Sequence, residues 1–419
     1  MKITFVTHAG FLTEVNGKTI LTDPWIKGKV FNDSWALLSK PYDVDYNKVD
    51  YIFVSHEHPD HFSFPSLKSI PENNRKRIKI LYQKHASKRL NEAFIKLSFH
   101  SVIELPLYQW CHVEGLDLFC GSSGSMDSFL AIKEGDQLLL NLNDCVFNLK
   151  QYKYISKLVG SVTLLFTQFS FANWVGNDND EVDNAQKKIE HIKIQLEIFK
   201  PKYTVPFASF VYFCNKENSR MNAWINTPVT IDALNLPGIN FMYPGDTINL
   251  SNPQFKSEQA VAKFMNDFAA ISIDTTPPSK SFEEVTEAIN ANFTYFKQHI
   301  FAPFRVTVKP FTIFITDLHT AINVDAKNGM VTEINSLTKC RYEMCSQVCW
   351  FTFKFPWGTG TLDVSGMFRD NEYPAAPSKY FFFQNLLSTE FLSMANTKKI
   401  ASSIKFLWQK KWEIAYRYI

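Results

Sequence analysis

The sequence predicts a four-layer αβ/βα sandwich, in which two sheets pack together and helices cover both outer faces, followed by a smaller α+β domain. Three observations predict it. Short β-prone runs crowd the first 23 residues. Strands then alternate with segments of helical spacing, and that mix is repeated. Near residue 250 the character changes, at the loop Ser251-Asn252-Pro253. At 419 residues the chain also exceeds what one hydrophobic core usually serves. The expected division is 1–250 and 251–419.

The first strands are Ile3 to Val6, Phe11 to Val15 and Thr19 to Leu21. Asn16-Gly17 between the second and third is a strong hairpin signal, because both residues tolerate the left-handed turn geometry. Asp23-Pro24 ends the third. Val49 to Ser55 is a further strand, and Ser63 caps a helix beginning at Phe64. Ile78 to Tyr82 reads as a strand and Ala86 to Leu97 as a helix. Leu116 to Cys120, Ser128 to Ile132 and Gln137 to Leu142 form a meander, with Glu134-Gly135-Asp136 as a turn. Val162 to Phe166 and Tyr203 to Phe207 are buried strands. Between them, Asp183 to Phe199 carries a helical apolar stripe at Ile189, Ile192, Leu196 and Phe199. After residue 250, helices are expected at Ser257 to Phe268 and Phe282 to Phe296. From Phe304 to Phe368 the alternation of apolar and polar residues predicts an antiparallel sheet with two hairpins, Val348 to Phe355 among its strands.

Composition narrows the function. The chain is 45% hydrophobic and 15% aromatic, enough for a sizeable core. Its net charge of +3 argues against nucleic acid or a membrane surface as partner. The one dense basic cluster, Arg75-Lys76-Arg77, reads as a solvated strand entry. No apolar stretch approaches the roughly 20 residues of a spanning helix, and no signal peptide is visible. Seven cysteines without a C-x-x-C pair suit a reducing compartment, so a cytoplasmic location is expected. Cys340, Cys345 and Cys349 read as buried thiols, with a metal knuckle as the alternative.

The chemistry centres on Ser55-His56-Glu57-His58-Pro59-Asp60-His61. His56 and His58 are two apart at the end of a strand, so in extended backbone both imidazoles project to one side. Asp60 and His61 follow on a turn stiffened by Pro59, within reach of a second ion. Imidazole and carboxylate without a thiolate suit Zn²⁺ or iron. Asp144 ends the strand Leu138 to Leu142, where a carboxylate can bridge two ions. The expected ligands are therefore His56, His58, Asp60, His61 and Asp144, with Asp60 and Asp144 closest to the chemistry. The cofactor is one or two metal ions, iron favoured and zinc allowed. His8 either lines the pocket or hydrogen-bonds in the core. Asp23 either orients a ligand imidazole or simply ends its strand.

With these residues in view, the sequence resembles the metallo-β-lactamase superfamily, through His56-x-His58-x-Asp60-His61 and Asp144. Within it, the likeness is to the catalytic region of CMP-N-acetylneuraminate hydroxylase and its bacterial relatives. It is carried by Thr22-Asp23-Pro24-Trp25, Ser55 to Ser63, Met126-Asp127-Ser128, Leu142-Asn143-Asp144-Cys145 and Pro206-Phe207-Ala208. The resemblance implies a third imidazole for the first ion and a further one for the second, and here those places fall at Ser123 and Asn215. Asp127, His112 or Asp246 are the residues that could compensate. It also implies a Rieske iron–sulfur module, whose C-x-H and C-x-x-H elements are absent from these 419 residues.

Three functions compete. The first is an iron-dependent oxygenase or hydroxylase acting on a small molecule, its electrons coming from a separate donor or the substrate. The second is a zinc-type hydrolase of an ester, lactone or phosphodiester, which needs no electrons. The third is a degenerate binding protein that has kept the cleft. The segments Phe169 to Trp174 and Phe207 to Phe213 either line an aromatic substrate pocket or pack in the core.

Overall fold

The computed structural model describes the chain except residues 86, 125, 172–176, 178–180, 274, 301, 336–338 and 389–419; of 181 and 182 it describes the backbone only. The first sheet has seven strands. Their spatial order is Thr247–Asn249, Lys2–Phe5, Phe11–Val15, Lys18–Thr22, Tyr51–Phe53, Lys79–Gln83 and Ser101–Leu105. The second has six, in the order Tyr203–Phe207, Leu164–Gln168, Gln137–Asn143, Asp127–Glu134, Leu116–Ser123 and Gln109–Val113. Each sheet has an antiparallel part and a parallel part. In the first sheet the last four strands of that order run parallel; in the second, the first three do.

Strand side chains alternate between faces, and this sorts the residues into layers. Ile20, Phe53, Leu81, Leu118, Leu130, Leu139 and Leu164 point inward and form the core between the sheets. Their neighbours Leu21, Ile52 and Ile80 point out, onto helices that contribute Leu67, Leu90 and Phe94. Phe119, Phe129, Leu138, Leu140 and Leu165 do the same on the other side, against Tyr152, Ile155 and Val159. The result is the expected four-layer sandwich.

Phe11 and Phe166 join the two sheets. Their rings stack 4.3 Å apart at 8°, and both are fully buried. Phe166→Ala should cost about 3–5 kcal/mol, since a buried ring leaves a cavity that the flat sheets cannot close. Denaturant unfolding checks this, and a loss below about 1 kcal/mol would show that the core collapses around the gap.

The later chain has a core of its own. Five strands, ordered Met330–Ile334, Thr320–Asp325, Phe311–Ile315, Tyr342–Met344 and Arg369–Asp370, are backed by the helix Phe282–His299 and those that follow. This is the smaller α+β part. The helix Ser257–Ala269, by contrast, buries Ala260 and Phe264 in the first core, where Phe264 meets Phe210 at 5.0 Å. The division at residue 250 stays a proposal, and the two cores favour placing it between Ile271 and Phe282.

Two local expectations are corrected. Val306-Thr307-Val308 lies in a turn and loop, not a strand. Val348 to Phe355 is largely the helix Ser346–Lys354, with Val348, Cys349, Thr352 and Phe353 buried at helical spacing. Its start is fixed from afar. Asp317 accepts from the Ser346 N–H at 2.7 Å and from the Ser346 hydroxyl at 2.6 Å, giving the helix N-terminus an anionic cap. The sheet is also mixed, because Phe311–Ile315 and Tyr342–Met344 run parallel.

The basic cluster is structural. Arg75 donates to the carbonyls of Ile70 and Leu97, and Arg77 to those of Tyr46 and Asn47. Cys340, Cys345 and Cys349 are buried, and burial pushes their thiols up, with Cys345 at about 12. Among the described residues no helix is long and apolar enough to cross a membrane.

Candidate metal centre

The centre forms where several strands end. His8 follows Lys2–Phe5, Asp23 follows Lys18–Thr22, and His56 to His61 follow Tyr51–Phe53. Asp144 directly follows Gln137–Asn143, and Asp127 opens the antiparallel strand Asp127–Glu134. The chain turns sharply here. Asp23, Asn143 and Ala208 all hold positive φ, at 33°, 51° and 52°. For an alanine that conformation is strained, so the surrounding structure must impose it.

The donor atoms converge. His56 Nε2 lies 2.9 Å from His58 Nδ1 and 3.8 Å from Asp127 Oδ1. His61 Nε2 lies 3.2 Å from Asp60 Oδ2 and 3.3 Å from Asp144 Oδ2. Among the described residues, three groups have donor atoms within 4.8 Å of one another: His56-His58-Asp127, His56-His61-Asp144 and His8-Asp60-His61. Donors about 2.0–2.2 Å from one ion sit roughly 3–3.5 Å apart when adjacent, and most of these spacings match.

Unmet hydrogen bonds supply an independent test of fit. Asp60 Oδ1, Asp144 Oδ1 and His8 Nδ1 are buried without a hydrogen-bond partner. Orphaned donors and acceptors are costly. Here they cluster among groups of metal-ligating type, so the residues present fit bound cations. No cysteine takes part in these groups.

The charges point the same way. Burial pushes the His56 imidazole down, the His61 charge adds to the effect, and it falls to about 4. Burial and His56 likewise lower His58. Burial would lower His61 too, but the carboxylates of Asp60, Asp144 and Asp23 outweigh it and hold His61 well above the usual imidazole range. Burial works to raise Asp60 and Asp144, yet His61 overrides it in both. Asp60 stays well below the carboxylate range and Asp144 falls to about 2. His56 and His58 are thus ready as neutral ligands, while a cation binding at His61 must displace its proton.

Asp23 is the hub beneath the loop. Its carboxylate accepts the Ser55 N–H at 2.8 Å, His61 Nδ1 at 3.1 Å and the Asn143 side-chain amide. Of the two readings for this residue, the structure gives the positioning one. Glu57, between the two histidines, turns outward to pair with Arg89.

The residues at the two departures do not face donor groups. The Ser123 hydroxyl donates to the Val146 carbonyl at 2.9 Å, and Asn215 Oδ1 accepts the Glu217 N–H at 3.1 Å. Among the three compensating candidates, only Asp127 reaches the centre. His112 is exposed and pairs with Asp117 at 3.0 Å. Asp246 accepts the Tyr243 N–H in a turn before the edge strand. Phe169, Phe171, Phe207, Phe210 and Phe213 pack in the interior, and residues 172–174 lie outside the described part of the chain.

Sequence reasoning missed Lys188. Its ammonium donates to Gln168 Oε1. Burial lowers its pKa, while Asp144 and Asp127 pull it upward, so it lies within the field of the centre. The signal was present: residue 188 stands four before Ile192 on the buried stripe of the helix Glu181–Phe199.

One loop links the centre to the later core. The Phe31 ring lies 5.9 Å from that of His58, and Asn32 exchanges side-chain hydrogen bonds with Gln347 at 3.0 and 2.6 Å. Phe31, Asn32 and Asp33 hold φ of 52°, 64° and 55° in succession.

Comparison with known proteins agrees with the fold. Residues 2–103 match the beta-lactamase superfamily domain. Among curated proteins it is similar to the cytidine monophosphate-N-acetylneuraminic acid hydroxylase of Danio rerio, at 24% identity over 234 residues. That match covers 50% of this chain and 38% of the relative. A Mycobacterium tuberculosis protein, provisionally described as a Rieske 2Fe-2S iron–sulfur protein, is 24% identical over 314 residues, covering 65% and 60%. This chain therefore spans less than two thirds of either relative. Among solved structures, CmlA, a diiron β-hydroxylase from Streptomyces venezuelae, overlaps 59% of this chain and 54% of its own length. The identity is 13% and the TM-score 0.42.

Proposed function

We propose that this chain is a metal-dependent oxygenase with a two-iron centre, acting on a small molecule and taking electrons from a separate donor. His56, His58, Asp60, His61 and Asp144 are its ligands. The observation that carries the reading is the donor set. Imidazoles and carboxylates meet in one buried to half-buried cluster without a thiolate, which suits iron held with open positions. The sequence likeness to hydroxylases supports the same choice.

Iron bound there would supply oxygen activation. The chain's own residues do the rest. Asp144 and Asp60 spread negative charge between the two halves of the pocket. Asp23 fixes the Nδ1 side of His61, so that Nε2 faces inward. The core on both sides of the strand ends keeps bulk water from the buried donors.

The test is protein produced with iron and analysed for metal, followed by oxygen uptake with a reductant across a panel of small molecules. Iron bound together with substrate-dependent uptake is expected. Protein that holds only zinc and turns over substrate without oxygen would sink the reading.

That outcome would favour a hydrolase of an ester, lactone or phosphodiester. One observation favours this second reading: the same imidazole and carboxylate donors also suit zinc, and hydrolysis needs no electron delivery.

A further inference from the structure

The second half of the centre is short of an imidazole. By resemblance it belongs after Pro206-Phe207-Ala208, where Asn215 stands, and Asn215 is engaged in its own turn. We propose that His8, at the end of the first strand, is the missing donor, and that it holds the second ion together with Asp60 and His61. This rests on reading the pocket as a two-ion centre.

His8 is 1% exposed; its Nδ1 has no hydrogen-bond partner, and its Nε2 has only Asp60 Oδ2, at a distance longer than a normal hydrogen bond. A core histidine in a purely structural role would hold at least one nitrogen at normal hydrogen-bond distance, because each poorly met donor or acceptor costs about 1–3 kcal/mol. Its Nε2 lies 3.5 Å from Asp60 Oδ2, the same oxygen that stands 3.2 Å from His61 Nε2. The three donors lie within 4.8 Å of one another and all three residues are buried.

The ring is held in place. Trp25 meets it edge-on at 5.7 Å, and the Ala208 N–H donates to the His8 carbonyl at 2.7 Å. Ala208 directly follows the strand Tyr203–Phe207. His8 therefore enters the corner next to the strand end from which the resemblance would draw its histidine. The imidazole comes from the first sheet instead of the last strand of the second, and the donor chemistry at the ion is kept.

The test is metal stoichiometry. Purified chain is stripped, reloaded with Fe²⁺ or Co²⁺ without oxygen, dialysed and analysed. The native chain should keep about two ions, and His8→Gln about one, with at least roughly a hundredfold weaker binding of the second. Thermal unfolding of both stripped proteins controls for folding. A structural role would lower the stripped variant's Tm and leave its stoichiometry at two, which overturns the proposal. A second measurement needs no variant. In the histidine-¹⁵N-labelled native chain loaded with cadmium, the His8 imidazole should couple to the metal as those of His56, His58 and His61 do. Coupling confined to the other three overturns the proposal even if His8→Gln fails to fold. Native chain that binds no ion would instead overturn the two-ion reading itself, and this inference with it.

Discussion

His56→Ala is expected to leave the chain folded and almost unable to retain metal. His56 belongs to two of the three donor groups, one shared with His58 and Asp127, the other with His61 and Asp144. Its loss therefore weakens both ions. In the native chain, metal at about a thousand times its dissociation constant contributes roughly 4 kcal/mol to stability. For a domain of this size that is about 8–16 °C in Tm, lost on adding a chelator. In His56→Ala the chelator should move Tm by less than about 2 °C, and metal-dependent turnover should fall by at least about a thousandfold. Elemental analysis and thermal unfolding with and without chelator check both. Wild-type metal content in the variant would show that His56 is not a ligand.

Asp23→Ala should cause the largest loss of stability among the residues beneath the site. The carboxylate is fully buried and serves three donors at once: the Ser55 N–H, His61 Nδ1 and the Asn143 amide. Removing it strands all three, and it leaves a buried imidazolium short of one of its counter-charges. Breaking a buried charged contact of this kind costs about 3–5 kcal/mol. Metal affinity should fall a further 10–100-fold or so, because His61 loses the partner that sets its ring. Asp23→Asn separates the two effects. It keeps an acceptor for one donor while removing the charge, and so should recover stability more than affinity. Equal recovery of both would contradict the positioning role.

Much of this was legible in the sequence, and the reasons are local. The strands around Asn16-Gly17 and the meander from Leu116 to Asn143 follow from alternation and turn chemistry, which act within a few residues. The loop from His56 to His61 is legible because the ligands are spaced by the geometry of a strand end. What stayed hidden depends on distant partners. Ser346–Lys354 is a helix although its apolar run suits a strand, because Asp317 caps it from 29 residues upstream. His8 has no motif around it; only the fold brings it within 3.5 Å of Asp60. Lys188 was legible in principle, as a cation on an apolar stripe, which is costly unless something opposite needs it.

The succession Phe31, Asn32, Asp33 has a consequence for how the two parts of the chain communicate. Left-handed residues normally occur singly, and a bulky one costs about 1–2 kcal/mol. Here three stand in a row. Such a turn persists only while both its ends are held. Its ends are held by the two backbone hydrogen bonds between Val30 and Trp35, while the Phe31 ring meets that of His58 and the Asn32 side-chain amide pairs with that of Gln347. The later core and a candidate metal ligand thus touch neighbouring residues of one left-handed turn. A substitution at Gln347 therefore removes a contact from the same turn that abuts His58, without either sheet having to move.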